Sequence, residues 1–284
     1  MNAQTLLTDS LNTRWDQYKA ELKNCRREFS EEAVHDFRVA TRRLLSLLSL
    51  LRTVMQDPEI QKIRRALKDQ LDNLDDLRDT QVLLSDISEV IHETPVLRPF
   101  QEYLQSREKK LMRAAHKEIK LLKTAGLSKR IQKLNQSIEA LKQADLDVSI
   151  FSAVDEAYAV VKQRYALINP NQPATIHHVR ISFKKFRYMI EAIYPSLENF
   201  PADYLKRMHD YQTDMGDIQD MEAALQKLAD FEKHAPAGYD RDPVRSYYKK
   251  NHALAISRYI EDKGEVIIFW RSAPDQPFPQ EKQP

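Results

Sequence analysis

Two nine-residue segments place a histidine and several cations at the same spacing. They are HDFRVATRR, residues 35–43, and HHVRISFKK, residues 177–185. Arginine offers a planar fork of donors to phosphate oxygens, lysine adds a point charge, and histidine can gain a proton as an anion approaches. The repeated pattern therefore predicts a site for a phosphate-rich anion. The pairs, at a constant offset of 142 residues, are His35 and His177, Arg38 and Arg180, Arg42 and Lys184, and Arg43 and Lys185.

A helical conformation would align each pattern as one stripe. At about 100° per residue, Arg38 and Arg42 fall within about 60° of His35, and leucines occupy the opposite side. Arg187 extends the stripe of the second copy in the same way. A solvated helix face would explain one such stripe, whereas two in the same phase favour binding, even though duplication can preserve part of a pattern. We expect Arg38 and Arg180 to face away from the apolar core.

Further basic clusters are candidates for the same site. One comprises Arg64, Arg65 and Lys68, with counterparts Lys206 and Arg207, and another follows residues 107–120. Each alone is typical of a solvated face, so their convergence on one channel is an expectation about the fold. Asp79 and Asp220 are expected to orient a stripe residue or to cap a helix bend. The candidate phosphate-binding residues are His35, Arg38, Arg42, Arg43, Arg65, Lys68, Arg107, Arg113, His177, Arg180, Lys184, Lys185, Arg187, Lys206 and Arg207.

Composition limits the class of protein. The chain has 284 residues, 42% of them hydrophobic and 30% charged, with 4 glycines and a net charge of +2. So few glycines disfavour a β-rich fold and glycine-rich nucleotide loops. A near-neutral charge means that any basic surface arises by local segregation. A single cysteine, Cys25, and the lack of a signal peptide or a membrane-length apolar run predict a cytoplasmic location.

Apolar residues recur with helical periodicity over most of the chain. Ser30 and Thr175 are predicted N-caps, Pro58 a helix start, and Gly126 a helix stop. A loop is predicted at 234–243. The predicted helices are an opening helix through Leu22, one from Ser30 to about Met55, one from Pro58 to about 91, one from about Phe100 to Lys123, a weaker one over 127–145, and then 150–167, 175–194, 202–228 and 244–262.

The order of these helices repeats. Segments 63–87 and 204–228 match at an offset of 141, so the chain contains an internal duplication of about 140 residues. We predict an all-α fold of two four-helix bundles related by a pseudo-two-fold axis. The predicted divisions are 1–145, with a linker helix, 146–263, and a partly disordered tail, 264–284. The apolar segment VIIFW, 266–270, is expected to dock onto the body.

These motifs resemble the CHAD family, the conserved histidine α-helical domain. HDFRVATRRLLSLL and HHVRISFKKFRYMI resemble its paired H-x-x-R-[VI]-x-x-[KR]-[KR] signatures, and LDDLRDTQVLL and MGDIQDMEAAL its second signature. The first copy departs from these patterns at Leu45 and lacks the usual glycine, which the second copy keeps as Gly216. Gln219 replaces the arginine found at Arg78. These departures predict an asymmetric cavity in which the second copy holds more of the ligand.

The resemblance implies two helical bundles around a basic cavity that binds inorganic polyphosphate, in some members at polyphosphate granules. We therefore expect non-catalytic polyphosphate binding, with no cofactor and no metal. Binding should weaken with salt and strengthen from about pH 8 to 6 as His35 and His177 gain protons. Three alternatives remain. A nucleic-acid binder is disfavoured because Phe37 and Phe183 point towards the apolar side, and an enzyme acting on polyphosphate or a nucleotide is disfavoured because the stripes lack carboxylates to hold metal. The third alternative is a structural scaffold.

Overall fold

The fold is built from helices. The computed structural model describes residues 2–197, 199–235 and 239–278, with the side chains of 143–145 left out. These ranges contain no strand, and the predicted all-α class is confirmed. The α-helices are α1 Ala3–Glu28, α2 Glu31–Val54, α3 Pro58–Val90, α4 Arg98–Leu121, α5 Ala125–Glu139, α6 Gln143–Ala166, α7 Ala174–Ile193, α8 Tyr204–Glu232 and α9 Asp242–Asp262; short 3-10 helices cover Pro95–Leu97, Tyr194–Ser196 and Lys263–Ile268.

The helix that carries the first motif begins where its sequence predicts. The hydroxyl of Ser30 accepts a hydrogen bond from the amide of Ala33, 3.1 Å away, which satisfies one of the free donors at the start of α2. The next helix begins at Pro58, as predicted, because its missing amide costs nothing in a first turn. The carboxylate of Asp57 accepts from the amide of Glu59 at 2.7 Å and caps this helix.

Two predicted boundaries are wrong. Gly126 does not end α4, which finishes at Leu121; it lies in the first turn of α5, where a glycine disturbs few helical bonds. Thr175 is not the N-cap of α7 but lies inside it, after Ala174. Its hydroxyl donates instead to carbonyl oxygens of the preceding loop, with Gln172 at 2.7 Å, because short hydroxyl side chains also stabilise turns.

The helices of the two copies pack in the same order but share their cores. α1, α2, α3 and α4 contact one another in sequence, as do α6, α7, α8 and α9, while α2 contacts α7 and α3 contacts α8. The larger apolar cluster contains residues of all the α-helices from α1 to α9, and the smaller one joins the end of α3 and the start of α4 to α8 and α9. Each cluster thus draws on both copies, and a division into two bundles, one per copy, stays a prediction.

The segment after α9 docks onto the second copy. Phe269 and Trp270 are fully buried, and the indole nitrogen of Trp270 donates to Asp155 at 2.7 Å. The hydroxyl of Tyr158 donates to the carbonyl of Ile267, also at 2.7 Å. The docking predicted for 266–270 is therefore confirmed, while 236–238 of the predicted loop and 279–284 of the predicted disordered tail lie outside the described residues. No helix in the described ranges is long and apolar enough to cross a membrane.

Candidate anion-binding groove

Side chains of α2, α3 and α7 line one groove with a cavity volume of about 690 Å³, called here the basic groove. Six of its lining side chains are cationic, and the lining includes no carboxylate. Its volume is within the usual range for ligand sites. The cations are Arg42, Arg64, Arg65, Lys68, Lys184 and Lys185, and the other lining residues are Leu45, Ser46, Ser49, Gln61, Ile181 and Tyr188.

Helical spacing brings the six cations to one place. On each of the three helices a fully buried residue directly precedes a groove cation, which places that cation at the edge of the buried face. Arg42 lies next to Thr41, Arg64 next to Ile63, and Lys184 next to Phe183. Since α2 also contacts α7, the cations of the first motif and those of the second face each other across the groove.

Arg64 is held in place by α2. Its guanidinium donates to the carbonyl oxygen of Leu45 at 3.3 Å and to the hydroxyl of Ser49. Burial, followed by repulsion from Arg52, lowers the pKa of Arg64, which nevertheless stays charged at physiological pH because an arginine starts so high. Among the described residues no carboxylate pairs with Arg64, and a fixed, charged guanidinium of this kind is suited to an external anion.

Lys184 is partly buried and surrounded by positive charge. Burial, followed by repulsion from the guanidinium groups of Arg42, Arg180, Arg187 and Arg38 in that order, lowers its pKa to about 7. The amine lies 6.0 Å from the centroid of the Tyr188 ring. A bound anion would supply the missing counter-charge and favour the ammonium form.

Arg180 lies beside the groove rather than in its lining. Burial and the charge of Arg42 lower its pKa, against an opposing attraction from Asp220. Its buried Nε has no hydrogen-bond partner among the described residues. Loss of hydration raises the pKa of Asp220 to about 6 despite its attraction to Arg180. Asp220 and Asp79 thus attract Arg180 and Arg38, but among the described residues neither carboxylate forms a hydrogen bond or ion pair with them, so the orienting role stays a prediction.

Arg38 contradicts the prediction that it faces away from the core. It is only 2% exposed and donates to the carbonyl of Leu71 at 3.1 Å and to the carboxylate of Asp75 at 2.6 Å. The reason is that α3 packs against this part of α2 and covers the side chain of Arg38. Arg187 is 8% exposed and is likewise occupied, by Gln212 at 3.0 Å and Glu191 at 2.5 Å.

The two motif histidines do not line the basic groove. His35 lies in a separate shallow recess with Glu31, Glu32 and Arg78. Desolvation and then the charge of Arg78 lower the pKa of His35, so it is neutral at physiological pH. His177 is partly buried, and its Nδ1 has no hydrogen-bond partner among the described residues.

The outer candidates do not converge on the groove, so the prediction of a single channel is wrong for them. Arg43 lines a different recess, which also contains Glu191. Arg113 is exposed on α4, away from the groove lining. The remaining three form ion pairs within the chain: Arg107 with Asp76 at 2.8 Å, Lys206 with Asp210 at 2.8 Å, and Arg207 with Glu265 at 2.7 Å.

Sequence reasoning left out several groove residues. Arg64 belongs to a predicted basic cluster but is not among the candidate residues, although it precedes Lys68 by one helical turn. Ser49, which fixes Arg64, carries no charge and gave no signal. Ile181 is 55% exposed in the groove, and its apolar side chain pointed to no anion site. The described part of the chain contains no group of three or more His, Cys, Asp or Glu that could hold a metal ion.

The chain is all-helical, carries one motif twice and has a cationic groove between the two copies of the motif. These features define a class of protein, and comparisons with known proteins identify the same class. The sequence model of the CHAD domain matches residues 10–229, and the chain belongs to that family. The crystal structure of the CHAD domain from the plant Ricinus communis superimposes with a TM-score of 0.77 at 18% identity, covering 94% of this chain and 92% of that one. PptA from Streptomyces chartreusis gives 0.68 at 14% identity, with 94% and 99% covered. None of the curated proteins compared with the chain matches it.

Proposed function

We propose that this protein binds inorganic polyphosphate in the basic groove and does not catalyse its turnover. One observation carries the proposal: six cationic side chains from both copies line a single groove whose lining includes no carboxylate. A polyanion has charge at every phosphate and no need for base-specific contacts, so it matches a row of unneutralised cations. The family resemblance stated from the sequence motifs implies the same ligand.

Charge neutralisation is the test. Each groove cation should contribute about 1 kcal/mol to phosphate binding, so replacing three of them should cost about 100-fold in affinity. The variant is Arg42→Gln, Arg65→Gln and Lys68→Gln, measured by titration with polyphosphate of defined length. Thermal unfolding of the variant shows whether the fold is kept.

A charge-matched control separates the groove from general electrostatics. Arg113→Gln, Lys117→Gln and Lys206→Gln remove three exposed cations outside the groove, and affinity should change by less than about threefold. Equal losses in both triple variants would mean that polyphosphate binds through net charge, and the groove assignment would be abandoned. Between 50 and 200 mM salt, wild-type affinity should fall by about three orders of magnitude if all six cations contact phosphate.

Nucleic acid is the competing ligand. Tyr188 is the aromatic residue in the groove lining, but the guanidinium of Arg187 is 4.6 Å from its ring centroid, and Phe37 and Phe183 are fully buried. Base stacking therefore has little free aromatic surface in the groove. Polyphosphate should displace single-stranded DNA at equal charge concentration. Displacement in the opposite direction would favour the nucleic-acid function.

The non-catalytic part of the proposal is separately testable. Phosphoryl transfer generally uses a metal held by carboxylates, and the groove lining includes none. We expect no orthophosphate release from polyphosphate in the presence of Mg²⁺; release above the buffer control would replace the binding proposal with an enzymatic one. We extend the proposal to the cytoplasm and to polyphosphate granules, where a fluorescently tagged wild type should collect and the groove variant should not.

A further inference from the structure

Lys184 combines access to the groove with an excess of positive neighbours. Arg38 and Arg42 act on its amine from α2, and Arg180 and Arg187 from its own helix. On α3, the carboxylate of Asp75 is already bonded to Arg38. Among the described residues no carboxylate forms an ion pair with Lys184, and the amine lies in the groove lining where a ligand can reach it.

Such surroundings favour the free amine over the ammonium ion. Burial and the four guanidinium groups lower the pKa of Lys184 to about 7, so about half of the molecules carry a neutral amine at neutral pH. An ordinary lysine is neutral in fewer than about one molecule in a thousand at that pH. A lysine amine beside other cations is a recognised way to make a nucleophile.

We propose that Lys184 is a modification site at which acyl phosphates acylate the side-chain amine. The inference rests on the proposed function, because it requires the groove to attract phosphate groups. An acyl phosphate joins the two features that the groove selects: an anionic phosphate for Arg42 and its neighbours, and an electrophilic carbonyl carbon for the amine.

The chemical step balances without a further reactant. The lone pair of the neutral amine attacks the carbonyl carbon and forms an amide N–C bond, and the C–O bond to phosphate breaks with its electron pair leaving on the phosphate oxygen. The amine proton is transferred to the departing phosphate, which leaves as hydrogen phosphate. The guanidinium groups that line the groove stabilise the charge of this leaving group.

Acylation would change the groove. An amide cannot be protonated at neutral pH, so the modified Lys184 cannot supply the charge that a bound polyanion would otherwise induce. The acylated protein should therefore bind polyphosphate more weakly, by about tenfold, since one charge-assisted contact is lost. Acylation by a small acyl phosphate would in this way lower the affinity of the groove for polyphosphate.

The experiment compares two lysines of the same groove. The intact protein is incubated with acetyl phosphate, and the initial rates of acetylation at Lys184 and Lys68 are measured by mass spectrometry. Lys68 is the more exposed and serves as the matched control. Lys184 should react at least about tenfold faster, with half of its maximal rate near pH 7 and a plateau above pH 8. Equal rates, or faster acetylation of Lys68, would overturn the proposal.

Two additional measurements separate this inference from the proposed function. Excess polyphosphate should suppress acetylation of Lys184, whereas acetic anhydride, which carries no phosphate, should still prefer Lys184 over Lys68 when polyphosphate is absent. Tight polyphosphate binding without preferential acetylation would refute only the modification site. Preferential acetylation by acetic anhydride without any protection by polyphosphate would refute the phosphate-binding groove and, with it, the route for acyl phosphates.

Discussion

The basic groove and the equivalent face of the second copy are built on corresponding helices but differ in their charges. At the offset of 142, Leu45 and Ser49 of the groove correspond to Arg187 and Glu191, which form an ion pair at 2.5 Å. At these two positions the second copy therefore carries an arginine and its carboxylate partner. The first copy carries no carboxylate there that could neutralise Arg64. A duplicated scaffold can hold an open cationic surface in one copy and a closed ion pair in the other, with two residues deciding which.

The same contrast holds for α3 and α8. Their buried residues align at the offset of 141, with Ile63 matching Tyr204 and Leu67 matching Met208. The cations do not follow this alignment. Arg64 corresponds to Leu205, Lys68 to His209, and Arg65 to Lys206, which is paired with Asp210. The groove thus takes four of its six cations from the first copy, and the prediction that the second copy holds more of the ligand is not supported by the lining.

The largest effect on stability is expected from replacing a buried arginine. Arg38→Met removes a side chain that satisfies a buried carbonyl and a half-exposed carboxylate, so the free energy of unfolding should fall by about 3 kcal/mol and the Tm by about 5–10 °C. Arg113→Met, at an exposed position, should change the free energy by less than about 0.5 kcal/mol. Polyphosphate affinity of folded Arg38→Met should stay within about threefold of wild type; a 100-fold loss at full stability would return Arg38 to the binding site.

The pH dependence of binding should report Lys184 rather than the histidines. The free protein has a Lys184 pKa of about 7, and a bound anion raises it, so binding takes up a proton above that pH. Affinity should be flat below about pH 7 and fall by up to about tenfold per pH unit from 7 to 9. Lys184→Arg, which stays charged, should flatten this profile.

The matched control for this profile is His35→Gln with His177→Gln, and the measurement is a polyphosphate titration at each pH. We expect the double histidine variant to keep the wild-type profile, because neither ring lines the groove. Loss of the pH dependence in that variant, with Lys184 intact, would restore the histidine mechanism predicted from the motif.

A smaller effect should follow from copying the second face into the first. Ser49→Glu places the carboxylate of Glu191 at the equivalent position, next to the guanidinium of Arg64, and should lower polyphosphate affinity about tenfold at low salt. Thr53→Glu adds the same charge one turn further along α2 and outside the groove lining, so it should cost less than about twofold. If the two variants lost affinity equally, local neutralisation would not explain the difference between the copies.

The smallest effect concerns the starts of the two motif helices. Ser30 caps α2 through its side chain, whereas α7 has no side-chain cap. Ser30→Ala should reduce the free energy of unfolding by about 1 kcal/mol, measured by urea denaturation. Ser106→Ala, at an exposed position inside α4, is the control and should change stability by less than half of that amount. No loss at Ser30 would show that tertiary contacts alone hold the start of α2.

Much of the local structure could be predicted from the sequence because it depends on residues close together in the chain. The all-α class, the cap at Ser30 and the start of α3 at Pro58 follow from periodicity and capping. Arg42, Lys184 and Lys185 line one concave surface, as the paired motifs predict, whereas Arg38, Arg43 and the two motif histidines do not.

What the sequence could not decide is which neighbour covers each side of a helix. A helical wheel places Arg38 and Arg42 on the same stripe, yet α3 buries the first against Asp75 and leaves the second in the groove. Periodicity defines directions around one axis, whereas burial and counter-charges depend on helices far away in the chain. Only tertiary packing could therefore exclude the histidines, add Arg64 and lower the pKa of Lys184.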